Sequence, residues 1–150
     1  MSKRISPAER VRRTLDSSRL AVLATTDSDG QPHTSLMAFT VFGGVGSLVV
    51  ATYRDSLKYR SILENEKVAL LIDGRDGVSP GGDVLTARGR AAQIAGDDRE
   101  KALEMHVARH PDLVGFLRSA DCALVGIAVE EYEIVGGIDD VEWHTVREEA

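Results

Sequence analysis

Cysteine is nearly absent. Cys122 is the single one in 150 residues, so no internal disulfide and no multi-cysteine metal site can form. That usage fits a reducing compartment. Lys and Arg are also short, 18 against 24 Asp and Glu, leaving a net charge of -6. The deficit excludes a protein wrapped around nucleic acid, which needs surplus cations against the phosphates. It likewise excludes a general binder of anionic membranes. No apolar run follows the charged start, so a signal peptide is not expected and the chain reads as cytoplasmic. Two further signatures are missing: a Gly-x-Ser-x-Gly elbow, which removes the main support for a hydrolase, and a Gly-x-Gly-x-x-Gly after a strand, which argues against a dinucleotide-binding Rossmann domain.

The longest charge-free stretch, 31–53, is long enough to span a bilayer as a helix. Gly43, Gly44 and Gly46 interrupt it, however, and suit a turn. The Val-, Thr-, Phe- and Leu-rich flanks favour strands, so a hairpin is expected and no membrane span. What remains is ordinary for a globular chain, 43% hydrophobic and 28% charged residues. One domain over 1–150 is expected, with a core to match.

Ser6-Pro7-Ala8-Glu9 opens a capped helix to about Ser17. Val11 and Leu15 share its apolar face, and Arg10, Arg12 and Arg13 are expected on a solvated one. Strands are expected at 20–26, 32–42 and 48–52, then a helix at 56–65. The continuous apolar run Val68–Ile72 predicts a fully buried strand. A glycine-rich loop at 75–83 leads to a strand at 84–94, interrupted by Gly89. A second capped helix is expected from Asp97 to His110, with Asp97 and Glu100 at box spacing. A short helical turn at 112–119 and strands at 122–129 and 132–135 complete the chain. Strands joined by tight turns must be antiparallel. A mainly β domain of about six to seven strands with flanking helices follows, closed as a barrel to remove exposed edges, although periodicity leaves a sandwich open.

The segment Thr52-Tyr53-Arg54-Asp55-Ser56-Leu57-Lys58-Tyr59-Arg60 carries the chemistry. Ser56 reads as an N-cap, which places Lys58 in the first helical turn, where the macrodipole prefers negative charge. Arg54 and Arg60 deepen the conflict, and Asp55 offsets only one of the three. An anionic ligand would resolve it, held by free backbone N–H groups, the Thr52 and Ser56 hydroxyls and the Lys58 ammonium. The plain alternative is that these side chains simply reach into water.

The pattern Thr52-x-x-x-Ser56-x-Lys58, followed by Asn65-Glu66-Lys67-Val68, resembles the pyridoxamine 5'-phosphate oxidase-like flavoproteins. Gly30-x-Pro32-x-x-Ser35-Leu36-Met37 resembles the family's second strand, and Gly89-Arg90-Ala91 its Gly-x-Ala strand. The resemblance implies an antiparallel split β-barrel that forms a homodimer and binds FMN at the subunit interface. By position it places Ser35, Leu36 and Met37 along the flavin and ribityl chain. Ala51 and Thr52 then touch the ring or ribityl hydroxyls, while Ser56, Leu57 and Lys58 surround the phosphate. Val84 approaches from the opposite strand, and Trp143 comes from the C-terminal part, across the dimer in the family; the alternative is that Trp143 only covers the barrel end. The implied activity is that of a flavin-dependent oxidoreductase on a small-molecule substrate.

Departures narrow this. Leu57 stands in place of an Arg beside the Lys, and Glu66 in place of a Pro. Thr40 occupies the position of a substrate-binding Lys, and no Arg-x-His motif follows Trp143, so pyridoxamine phosphate itself is not the expected substrate. The second half also resembles the haem-utilisation branch of the superfamily, through Leu85–Ala91, Ala108–Asp112 and Ile134–Gly137. Haem or a deazaflavin in the same cleft, or a non-catalytic flavin-binding protein, are the alternatives. His106 and His110 lie one helical turn apart, a spacing that can bind metal. No third ligand accompanies them, so a solvated helix face and no metal are expected. Cys122 reads as a small buried hydrophobe.

Overall fold

The computed structural model describes residues 5–76 and 81–146. The chain start at 1–4 and the centre of the expected glycine-rich loop, 77–80, fall outside them. Helix α1 (Pro7–Ser17) begins as its sequence predicts: the Ser6 hydroxyl accepts the Glu9 N–H at 3.2 Å, Pro7 opens the first turn, and Val11, Thr14 and Leu15 are buried. Strand β1 (Leu20–Thr26) turns through Asp27, whose carboxylate accepts the N–H groups of Asp29 and Gln31, both at 2.9 Å, into β2 (Pro32–Ala38). Next come β3 (Thr40–Val41), the glycine turn, β4 (Ser47–Tyr53), α2 (Leu57–Glu64), β5 (Lys67–Asp73) and β6 (Val84–Gln93). Helix α3 (Asp97–Arg109), a 3-10 turn at Pro111–Leu113, α4 (Val114–Leu117), β7 (Cys122–Gly137) and β8 (Asp140–Thr145) end the described chain.

The strands form one antiparallel sheet in the order β2-β1-β5-β6-β7-β4-β3, with β8 on the other part of β7. The sheet curls until β2 and β4, far apart in that order, approach within 8 Å between Cα atoms. This is a split barrel. Its interior holds Phe39, Leu48, Val50, Leu70, Ile72, Leu85, Tyr132 and Ile134. A second apolar cluster lies outside the wall: α3 and α4 bring Ala102, Leu103 and Leu117 against Val49, Cys122 and Leu124. The start of β7 is therefore buried on both faces, which is why 122–125 shows no alternation.

The sheet has eight strands where six to seven are expected. The stretch 32–42 breaks at Phe39, whose N–H makes the last bond toward β1, to the Arg19 carbonyl at 3.2 Å, before the chain turns to pair with β4. The two expected C-terminal strands are one, because Glu130 and Glu131 pass through without a turn, and 140–145 adds β8. The interruption at Gly89 is a bulge in the β6–β7 register. A Cβ there would sit 2.1 Å from the Ala128 carbonyl oxygen, a backbone contact that only glycine avoids. The box at Asp97 does not form. Gly96, at φ 69°, is the N-cap and no side chain caps the helix; Asp97, Asp98 and Glu100 instead sit within the first turn, where the dipole favours them.

Candidate functional site

The end of β4 and the start of α2 are built around two hydroxyls. Thr52 is buried, and its Oγ1 shares a 2.9 Å hydrogen bond with Ser56 Oγ, which also accepts the Tyr59 N–H at 3.2 Å. The Arg60 N–H goes to the Ser56 carbonyl at 3.2 Å. Leu57 and Lys58 are thus the first-turn residues whose amides have no partner in the helix. No acidic residue occupies that turn. Lys58 is half-buried and makes no hydrogen bond or ion pair among the described residues. Arg54 is committed elsewhere: its backbone N–H donates to the Asp121 carbonyl at 2.9 Å and its Nε to the Ala120 carbonyl at 3.1 Å. Beside it, Tyr53 packs on Phe116 with ring centroids 4.5 Å apart.

Strand β2 stands at one end of the sheet, so its outer edge carries unpaired backbone groups, and β4 approaches it there. Ser35 and Met37 share the inward face of β2, opposite Leu23 and Ala21. On the same face, Thr25 Oγ1 and His33 Nδ1, a cross-strand pair, are buried with no hydrogen-bond partner among the described residues. Ala51 is paired with Leu124. The structure thus gathers Thr52, Ser56, Leu57 and Lys58 at one corner, with Ala51 and β2 alongside.

The other expected residues lie on the outer face of the sheet. Register carries one row across six strands: Leu36, Val22, Leu71, Thr86, Glu133 and Trp143. Val84, Val135 and Val141 form a neighbouring row. Leu36 is 68% exposed and Trp143 49%. Within one chain, then, Val84 and Trp143 are not at the Lys58 corner. A cavity of about 1250 Å³ lies elsewhere too: Ser6, Arg12, the glycine turn, Glu130 and Val146 line it, and it touches the expected set only at Trp143.

Two expectations about charged side chains need correction. Arg10 is not on a solvated face. It hydrogen-bonds Asp83 at 2.6 and 3.0 Å, Asp140 at 3.0 and 3.1 Å, and Glu142 at 2.6 Å. The Asp83 bonds first, then those to Asp140 and Glu142, raise its pKa despite burial. His106 and His110 are buried as well, not solvated. His106 Nδ1 lies 2.7 Å from Thr40 Oγ1, and His110 Nε2 donates to the Phe39 carbonyl at 2.8 Å. Burial, then the neighbouring His110 and Arg109, push His106 down to about 4. The partners lie 66 and 71 residues away in sequence, so no local signal announces them. Cys122 is buried and burial pushes its thiol pKa up. No helix among the described residues is long and apolar enough to cross a membrane.

No curated protein matches the chain. Solved structures do. A heme binding protein from Mycobacterium smegmatis has a TM-score of 0.86 at 20% identity, over 96% of this chain and 60% of its own. HutZ, the haem storage protein from Vibrio cholerae, has 0.70 at 16%, over 84% and 92%. General Stress Protein 26 from Bacillus anthracis has 0.64 at 22%, over 93% and 98%. The chain therefore spans about 60% of the length of the first of these relatives. At such identities the likeness is one of fold. The sequence model described as pyridoxamine 5'-phosphate oxidase matches residues 7–136, and with the split barrel around it the chain belongs to that family.

Proposed function

We propose that this chain binds FMN against the start of α2 and works as a flavin-dependent oxidoreductase on a small molecule. The observation that carries the proposal is Lys58: a half-buried cation in a helix's first turn, with two open amides beside it, no acidic neighbour in that turn and no partner among the described residues. Such a corner favours a phosphate electrostatically. The residues fit the group. Ser56, Leu57 and Lys58 would hold the phosphate, Ala51 and Thr52 the ribityl side, and Ser35, Leu36 and Met37 would line the flavin. The bound flavin would supply hydride or electron transfer, and the chain would supply position and electrostatics. Thr40 stands where pyridoxamine phosphate oxidation needs a lysine and is engaged with His106, so a different substrate is proposed.

The homodimer belongs to the same proposal. Leu36, Val84 and Trp143 share an outer face rich in exposed apolar side chains. A second copy on that face would bring such residues to the flavin from the opposite side. Haem or a deazaflavin in the same cleft is the second reading, and the names of two of the related structures favour haem. The test is a titration of the purified protein with FMN and, separately, with hemin. Flavin binding that Lys58→Ala weakens supports the proposal; a Soret band with no flavin uptake overturns it. Turnover with reduced nicotinamide and oxygen then separates an oxidoreductase from a protein that only holds flavin.

A further inference from the structure

The last turn of α3 is a group of ionisable side chains for which the proposed function has no use. His106 and His110 are buried there with ring centroids 4.9 Å apart. Both reach the joint between β2 and β3: His106 to the Thr40 hydroxyl at 2.7 Å, His110 to the Phe39 carbonyl at 2.8 Å. The Arg109 guanidinium lies 5.1 Å from the Phe39 ring centroid and donates to the Leu15 carbonyl at 3.0 Å and to the Ser18 carbonyl. Three side chains of one helical turn thus grip the point where β2 leaves the ladder.

We propose that His106 and His110 are positioning residues: their rings hold the β2–β3 joint, and protonation of His106 releases the joint together with the strand that carries Ser35, Leu36 and Met37. The consequence for a ligand rests on the FMN proposal above; the release itself does not.

The surroundings offer a second proton nothing. From its own helix His106 faces the His110 imidazole and Arg109. From β3 comes the Thr40 hydroxyl. The face of β4 and β7 on which α3 packs carries Val49, Leu124 and the buried Cys122 thiol. From the α1 side, Asp16 attracts Arg109 and Arg19 repels it. Among the described residues no carboxylate hydrogen-bonds either ring. His106 freed from the joint returns toward the ordinary value of 6.5, whereas docked it sits at about 4. Each pH unit lost between those values therefore shifts the docked-to-released ratio about tenfold toward release. Phe39 is the lever: its aromatic ring is in the core and its carbonyl is held by His110.

The test is amide hydrogen exchange, read as protection factors at pH 7.5 and pH 5.5, on the full chain and on a His106→Asn, His110→Gln double variant. Asn offers an amide near the position of Nδ1 and Gln one near Nε2, and neither titrates. The wild type is expected to lose about tenfold protection at residues 39–41, while Leu70 and Leu85 in the core lose none. The double variant is expected to lose less than twofold. Equal losses in both proteins, or loss across the core together with the joint, overturn the proposal. Should the double variant fail to fold, Thr40→Val serves in its place. It is expected to lower protection at the joint already at pH 7.5, and no change there overturns the proposal. FMN titration over the same pH range reads the ligand consequence. Affinity that falls in the wild type and not in the double variant supports it. Affinity that ignores pH while the joint opens overturns the coupling. No FMN binding at any pH overturns the proposed function instead, and exchange still decides the release.

Discussion

Arg10 and Lys58 occupy comparable places, each a cation in the opening turns of a short helix packed on the barrel, and they end in opposite situations. Arg10 meets Asp83 just before β6 and Asp140 and Glu142 on β8, so one guanidinium ties α1 to two distant strands. Lys58 meets no carboxylate among the described residues. A cation surrounded by its own chain's acids serves architecture. One left without a partner beside open amides is suited to an anion from outside. The difference teaches that the sign of a helix-end charge says little until its neighbours from other elements are known.

The comparison can be broken most forcefully at Arg10. Arg10→Met removes the shared cation and leaves three carboxylates facing one another, so a loss of about 3–5 kcal/mol in unfolding free energy is expected, read by urea denaturation. A loss below about 1 kcal/mol would make Arg10 a surface residue in energetic terms. Acid comes next. His106 is held below its ordinary 6.5, at about 4, so the unfolded chain takes the proton first. Its contribution to stability is complete above 6.5 and falls as pH drops toward 4, by roughly 1.4 kcal/mol per unit and about 3 kcal/mol in all. Denaturation midpoints measured from pH 7.5 to 4 check this, and His106→Asn should flatten the slope.

Lys58→Ala separates the two cations most cleanly. FMN affinity should fall about 10- to 100-fold, or roughly 1.4–2.7 kcal/mol, while thermal stability holds or rises slightly as the macrodipole conflict disappears. His110→Ala should cost more stability than Lys58→Ala and less affinity at neutral pH. Reversed ranks would relocate the site. The smallest effect is expected at Leu57→Arg, which adds a second exposed cation to the corner. A gain in FMN affinity of about two- to fivefold is expected, since exposed pairs contribute about 1 kcal/mol or less.

Much of the fold was legible where the signal is local. Ser6-Pro7-Ala8-Glu9 started α1 and Gly89 marked a bulge. The apolar run Val68–Ile72 became β5, but it is not the fully buried strand expected: its burial alternates and Leu71 is 43% exposed, because only one face of the strand meets the core. Of the site, the Thr52, Ser56 and Lys58 corner was legible because it spans one strand end and one helix start. Gly96 took the cap from Asp97 because a residue with positive φ ended the preceding loop, a backbone fact that Ser-like spacing does not reveal. Strand β8 and the break at Phe39 were not legible either. Strand β8 pairs back on the adjoining end of β7 through the turn between Gly137 and Asp140, whereas the break at Phe39 involves His110, 71 residues away.

By itself the sequence determined what short-range physics controls: which segments prefer helix or strand, that consecutive strands pair antiparallel, and that a lysine stands against its helix's dipole. Only the tertiary structure decided which ionisable groups are neutralised. Coulomb energies and desolvation depend on distances between elements, and those distances appear only after the sheet has curled. That is why Arg10, His106 and His110, which read as solvated, are withdrawn from solvent and engaged, and why half-buried Lys58 has no partner among the described residues.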